Sequence, residues 1–251
     1  MVLRGGHLPR KLRADAIVEA LLELQFESDT SPERLIGRIV DSGPWKALEQ
    51  RNLPAHQVPS ALRQLDPSIR YQPTVEIASV GAEPRALKVG PFVVSYHRAK
   101  TYVGWERFRP ELEETVDILF AAAENLRVTR IGLRYLNAFN ARQHGITSIA
   151  DLDLAVSLAE GRLTSSVNAN FLVDLGAMGK CGVRVATKDF VQGPVSAETT
   201  AYLDIDVFTN PGFECKSRDA AKQWISDAHT REKQEFFHLL TQRTIDALTE
   251  D

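Results

Sequence analysis

The chain has 251 residues, with 30 Lys and Arg against 33 Asp and Glu, a net charge of −3 and 43% apolar residues. A chain of this size buries enough apolar surface for a core without covalent staples, and its composition excludes disordered, collagen-like and disulfide-scaffold classes. The charge balance offers no basic face for duplex nucleic acid; the one basic cluster, Arg4, Arg10, Lys11 and Arg13, reads as part of a flexible arm over residues 1–14.

Ile17–Glu27 alternates with a period of two. Val18, Ala20, Leu22, Leu24 and Phe26 share one face, and Glu19, Glu23, Gln25 and Glu27 lie with Ile17 and Leu21 on the other, as in a half-buried strand. Thr30 and Glu33 have capping-box spacing ahead of a helix carrying Leu35, Ile36, Ile39 and Val40. Pro44 opens a second short helix with Trp45 and Leu48, and one more turn is expected around Ala61–Leu65. Thr74–Val80, Arg85–Val89 and Phe92–Arg98 read as three strands, the first two joined by a turn at Gly81–Pro84. A helix is expected after Pro110, with the stripe Leu112, Val116, Leu119, Phe120 and Ala123.

Val128–Phe139 has the clearest strand pattern: Ile131, Leu133, Tyr135 and Phe139 point one way, Arg130, Gly132 and Arg134 the other. Ile149–Glu160 reads as a short helix. Ser166–Leu175, Gly182–Thr187 and Thr200–Phe208 read as antiparallel strands, with a Gly176–Gly179 hairpin and a mobile loop at Gln192–Thr199. The last element is a single helix over Ser217–Leu248, about 48 Å long at 1.5 Å per residue.

This order predicts an α+β fold: a curved, mainly antiparallel sheet with helices on one face and a long C-terminal helix packed on it. Residues 1–251 then form one domain. The alternative is two strand-helix-strand-strand half-modules, 15–126 and 127–251. Cys181 and Cys215 lie outside any paired motif, Met1–Arg13 carries charges where a signal peptide needs its apolar run, and no apolar stretch approaches the ~18 residues of a membrane span. The expected setting is cytoplasmic.

Four segments, DAIVEALLELQF at Asp15–Phe26, YVGWERF at Tyr102–Phe108, RIGLRYLNAF at Arg130–Phe139 and WISDAH at Trp224–His229 followed by Phe236-Phe237, together resemble a sporadically distributed, mainly uncharacterised bacterial family of similar length. The resemblance implies no established activity, cofactor or catalytic residue. The family's scattered occurrence implies mobile or defence-type gene neighbourhoods.

Two constellations carry chemistry. On the last helix, Glu232 projects into an apolar band formed by Ala221, Trp224, Ile225, Ala228, Phe236, Leu239 and Leu240, with His229 on its flank. A carboxylate there must be paired, protonated or turned to a polar cavity, so the choice is a structural ion pair or bend against a polar site under the helix. On the strands, Asp204 and Asp206 project side by side, and Arg130, Arg134, Arg184, Glu19 and Glu23 alternate likewise. A cross-strand charge lattice on a wet face explains them without function; an arginine-rich pocket for a carboxylate or phosphate is the alternative. Tyr102, Trp105 and Phe108 form either a partner-facing anchor or a staple at a helix start.

No G-x-S-x-G, H-E-x-x-H, P-loop or dinucleotide fingerprint is present, so no catalytic residue, metal or cofactor is assigned. The first expectation is a binding or regulatory component that recognises another protein. The alternative is a small polar ligand held between sheet and C-terminal helix by His229, Glu232 and Arg134; a hydrolase or transferase is the third option.

Overall fold

A computed structural model describes residues 12–99, 102–159, 161–191 and 197–249, so Arg4, Arg10, Lys11 and most of the expected loop at 192–199 lie outside the described residues. The fold is α+β, built on one antiparallel sheet of nine strands. β1 (Ile17–Glu27) lies at its centre. Ala20, Leu22, Leu24 and Phe26 are fully buried on its helix-covered face, while Leu21, Glu23 and Gln25 are half-buried on the open face. The expected alternation fails at its start. A bulge between Ile17 and Glu19 turns Ile17 to the core and Val18 to the open face, where it packs near Leu136.

α1 (Pro32–Val40) follows, with Ser31 as its N-cap and no side-chain cap bond. The Thr30–Glu33 capping box does not form, because Thr30 Oγ1 instead accepts the Glu124 N–H at 2.8 Å. β2 (Glu49–Asn52), short helices α2 (Ser60–Leu65) and α3 (Pro67–Arg70), and the meander β3 (Val75–Ser79), β4 (Arg85–Gly90) and β5 (Val93–Ala99) come next. Helix α4 (Trp105–Ala122) starts ahead of the expected Pro110 boundary, because Gly104 at φ +80° turns the chain there and Phe108 buries completely. Pro110 is carried inside the helix.

The second half comprises β6 (Arg127–Asn140), α5 (Ala141–His144), a two-residue-strand hairpin β7 (Ser157–Leu158) and β8 (Gly161–Arg162), then β9 (Asn168–Asp174), β10 (Lys180–Ala186), β11 (Thr199–Phe208), α6 (Arg218–His238) and α7 (Gln242–Thr249). The helix expected over Ile149–Glu160 shrinks to a 3-10 turn at Ile149–Asp151, closed by a Ser148–Asp151 capping box. Leu152 then pairs with Leu240 as an isolated bridge, which takes the chain out of helical geometry.

The strand order is β2-β3-β4-β5-β1-β6-β11-β10-β9. Each half repeats one pattern: a leading strand (β1 or β6), a meander whose last three strands are β3-β4-β5 or β9-β10-β11 and whose last member pairs with it, then a long helix (α4 or α6); β2 extends the first meander by one strand. β1 and β6 join the halves, and one apolar core runs beneath both. The expected single C-terminal rod is broken. α6 stops at His238; the Asp153 N–H donates to the Leu239 carbonyl at 2.9 Å, Leu240 buries against Leu152, and Thr241 Oγ1 accepts the Thr244 N–H to start α7. Arg13 N–H donates to the Leu248 carbonyl at 2.8 Å, and Leu12 and Ala14 pack on the core. Residues 12–14 of the expected arm are therefore docked. Among the described residues no helix is long and apolar enough to cross a membrane.

Candidate functional site

The open face of the sheet gathers the strand carboxylates and arginines into transverse rows, because residues paired across antiparallel strands project to the same side. One row runs Glu19, Leu136, Asp204, Arg184, Asn170 across β1, β6, β11, β10 and β9; the next runs His97, Leu21, Arg134, Asp206, Gly182, Leu172 from β5 to β9. Arg134 grips Asp204 with both arms of its fork, Nε donating to Oδ1 at 2.7 Å and Nη2 to Oδ2. Arg130 donates to Glu23 at 2.9 Å and Asp206 at 3.2 Å, and its guanidinium stands 4.9 Å from the centre of the Phe208 ring. It reaches both carboxylates by lying over Gly132, where a Cβ would come within 2.7 Å of Nη1. Burial pushes the Asp206 carboxyl up against the pull of Arg130 and Arg134.

Glu19 sits at the other side of this lattice. Its Oε1 is 2.8 Å from His97 Nδ1, and His97 Nε2 is 2.9 Å from Ser95 Oγ. The His97 hydrogen bond holds the Glu19 carboxyl below the usual carboxylate range, against its burial. Arg184 is held differently from its two neighbours: Nε donates to Asn168 Oδ1 at 2.8 Å and Nη2 to the Phe190 carbonyl at 2.7 Å. Both acceptors are neutral. A cavity of about 410 Å³ opens between Glu19 and Arg184, lined also by Arg134, Asp204, Leu21, Leu136, Phe190 and Val191. A second, of about 440 Å³, lies over Gly182 towards β9.

His229 and Glu232 lie on the opposite, helix-covered face, as does Tyr135. The expected trio of His229, Glu232 and Arg134 is therefore split by the sheet, since Arg134 follows the parity of Arg130 and Gly132. The His229 imidazole stacks on the Trp105 indole, and the Tyr135 hydroxyl lies 3.3 Å from its Nδ1. Burial pushes His229 down to about 4, helped by Lys233. Burial pushes Glu232 up to about 8, opposed by Lys233 and reinforced by Asp15. At neutral pH both groups are thus uncharged, an arrangement that lets two polar side chains sit in an apolar layer.

Tyr102, Trp105 and Phe108 form no exposed anchor. Phe108 is buried, Tyr102 meets Phe108 and Tyr135 edge-on at 5.6 and 5.7 Å, and Trp105 is half-buried under His229. Sequence reasoning missed His97 and Ser95 as members of the open face, although both alternate with buried Val94 and Tyr96 on β5. Among the described residues no group of three or more His, Cys, Asp or Glu side chains is placed to hold a metal ion. Neither a protein-family model nor a curated protein matches the chain.

Proposed function

We propose that this protein is a recognition component that binds another protein, taking an extended segment of its partner along the outer side of β9. The contrast between the two sheet edges carries this reading. β2 is four residues long, entirely polar and exposed, which is how edges are protected against strand pairing. β9, at the other edge, is seven residues long, contains no Pro or Lys, and leaves Phe171, Leu172 and Val173 exposed at 40%, 61% and 36%. An added strand would satisfy the free main-chain groups of β9, and its alternate side chains would meet Phe171 and Val173 on one face and Leu172 on the other. A cytoplasmic setting belongs to the same reading, since Cys181 and Cys215 are buried free thiols suited to a reducing compartment.

The test pans a random library of about ten-residue peptides on the full-length protein. Recovered peptides are expected to alternate apolar residues, and to lose binding to Leu172→Lys while retaining it with Glu49→Lys at the other edge. Leu172 is exposed, so its replacement leaves stability within about 0.5 kcal/mol. Recovery of no peptide, or equal binding to both variants, overturns the proposal. So does wild-type self-association, seen by sedimentation, that Leu172→Lys abolishes, because a second copy would then occupy the edge.

A further inference from the structure

We infer that the cleft between Glu19 and Arg184 on the open face binds a small elongated zwitterion, of the class of a short peptide with free ends, its ammonium at Glu19 and its carboxylate at Arg184. This inference stands apart from the reading of β9, because the cleft between β1 and β10 does not use the outer strand edge.

Three observations carry it. The first is the distribution of unneutralised charge. Among the open-face arginines of β6 and β10, Arg130 and Arg134 are bound to carboxylates, whereas Arg184 is fixed in place by one amide oxygen and one backbone carbonyl. A guanidinium held rigid by neutral acceptors keeps its full charge and a preset orientation for an incoming anion. At the opposite wall, Glu19 has His97 as its ion-pair partner, a group that carries charge only when protonated. One end of the cleft is thus a cation and the other an anion.

The second observation is spacing. Glu19 and Arg184 stand in one transverse row, separated by Leu136 and Asp204. Three strand intervals put their Cα atoms about 14 Å apart. The Arg184 side chain is held in place by Asn168 and Phe190, and across a gap of this order a single α-amino acid is too short to reach both ends. A ligand of two or three residues is matched to the gap. The third observation is the lining: Leu21 and Leu136 form the floor, and Phe190 and Val191 form one wall. About 410 Å³, lined by four apolar and four charged side chains, has the size of a small-molecule site for a polar ligand. The bidentate Arg134–Asp204 pair between the ends is already satisfied, so it adds polarity without demanding a third charge.

The experiment titrates the full-length protein by calorimetry with the tripeptide Ala-Leu-Ala, its N-acetylated form and its C-terminal amide. The free tripeptide is expected to bind saturably, and each blocked form about tenfold or more weakly, the loss that follows when a charge-assisted hydrogen bond is deleted. Arg184→Gln should bind the acid and the amide equally, and Glu19→Gln should bind the free and acetylated forms equally, so each variant loses one discrimination and keeps the other. The comparison among the three peptides on the unmodified protein needs no variant to fold. Absence of saturable binding of Ala-Leu-Ala up to about 10 mM, equal binding of its three forms to the unmodified protein, or retention of acid-over-amide preference in Arg184→Gln overturns the inference.

Discussion

The imidazole of His229 lies flat against the indole of Trp105, with ring centroids 3.8 Å apart and planes 11° from parallel. The stack buries the ring and lowers it from the ordinary 6.5 to about 4. The unfolded chain therefore takes up a proton below 6.5 that the folded chain refuses. Stability from this group is present above 6.5 and is lost as pH falls towards 4. Glu232 has the opposite sign: raised from 4.5 to about 8, it lets stability fall as pH rises through that window. Between 4.5 and 6.5 the two slopes, each about 1.4 kcal/mol per pH unit, cancel. His229→Phe removes one of them. Relative to the unmodified protein, the variant should gain about 3 kcal/mol on going from pH 6.5 to 4.5, read from urea midpoints at each pH. A difference between the two proteins that does not change with pH would show that His229 titrates normally.

Glu232→Gln tests the alkaline limb. Glutamine mimics the protonated carboxyl that the fold buries, so it keeps the packing and removes the ionisation. From pH 6.5 to 8 the unmodified protein should lose about 2 kcal/mol that the variant keeps, and the variant should melt higher at pH 8. Parallel melting curves for the two proteins across this range would place Glu232 in contact with water.

Glu232 was legible because a charge inside an apolar helical band stands out at 100° per residue. The alternation of β1 and β6 was legible for a similar reason: Leu22, Leu24, Ile131 and Leu133 mark one face while Glu23, Arg130 and Arg134 mark the other. The failures have tertiary causes. Leu239 and Leu240 continue the helical stripe in phase, so nothing in the pattern reveals that Leu240 is claimed by Leu152 from a distant loop. β2 (Glu49–Asn52) has no apolar residue to give it a period; its pairing with β3 alone makes it a strand. The split of His229 and Arg134 between opposite faces depends on which side of the sheet α6 covers, a tertiary choice that neither segment encodes alone. Arg184 looked like one lattice member among several, and only its neutral partners separate it from the rest.

The Arg134–Asp204 pair is asymmetric in burial. The Asp204 side chain is 7% exposed and that of Arg134 44%. Removing the arginine strands a buried carboxylate, whereas removing the carboxylate leaves a guanidinium already in reach of water. Arg134→Met should therefore cost about 3 kcal/mol and Asp204→Asn only about 1 kcal/mol, by urea unfolding at pH 7. Equal losses would mean that the pair acts as an ordinary surface bridge.

Two glycines of the β9–β10 hairpin separate backbone strain from steric exclusion. Gly176 (φ +65°) has open space where a Cβ would stand, whereas Gly179 (φ +138°) would place a Cβ 2.0 Å from the Phe208 carbonyl oxygen. An L-residue tolerates the first conformation at about 1 kcal/mol. The second is both a conformation reserved for glycine and a collision with the backbone of β11, so Gly179→Ala should cost about 3 kcal/mol or more. The loop is also tied to α6, since Trp224 Nε1 donates to the Met178 carbonyl at 3.1 Å. Gly179→Ala should consequently alter the tryptophan emission of the folded protein, while Gly176→Ala leaves it unchanged. Equal unfolding costs with unchanged emission would mean that the hairpin tip shifts freely, and that contact with Phe208 does not fix its position.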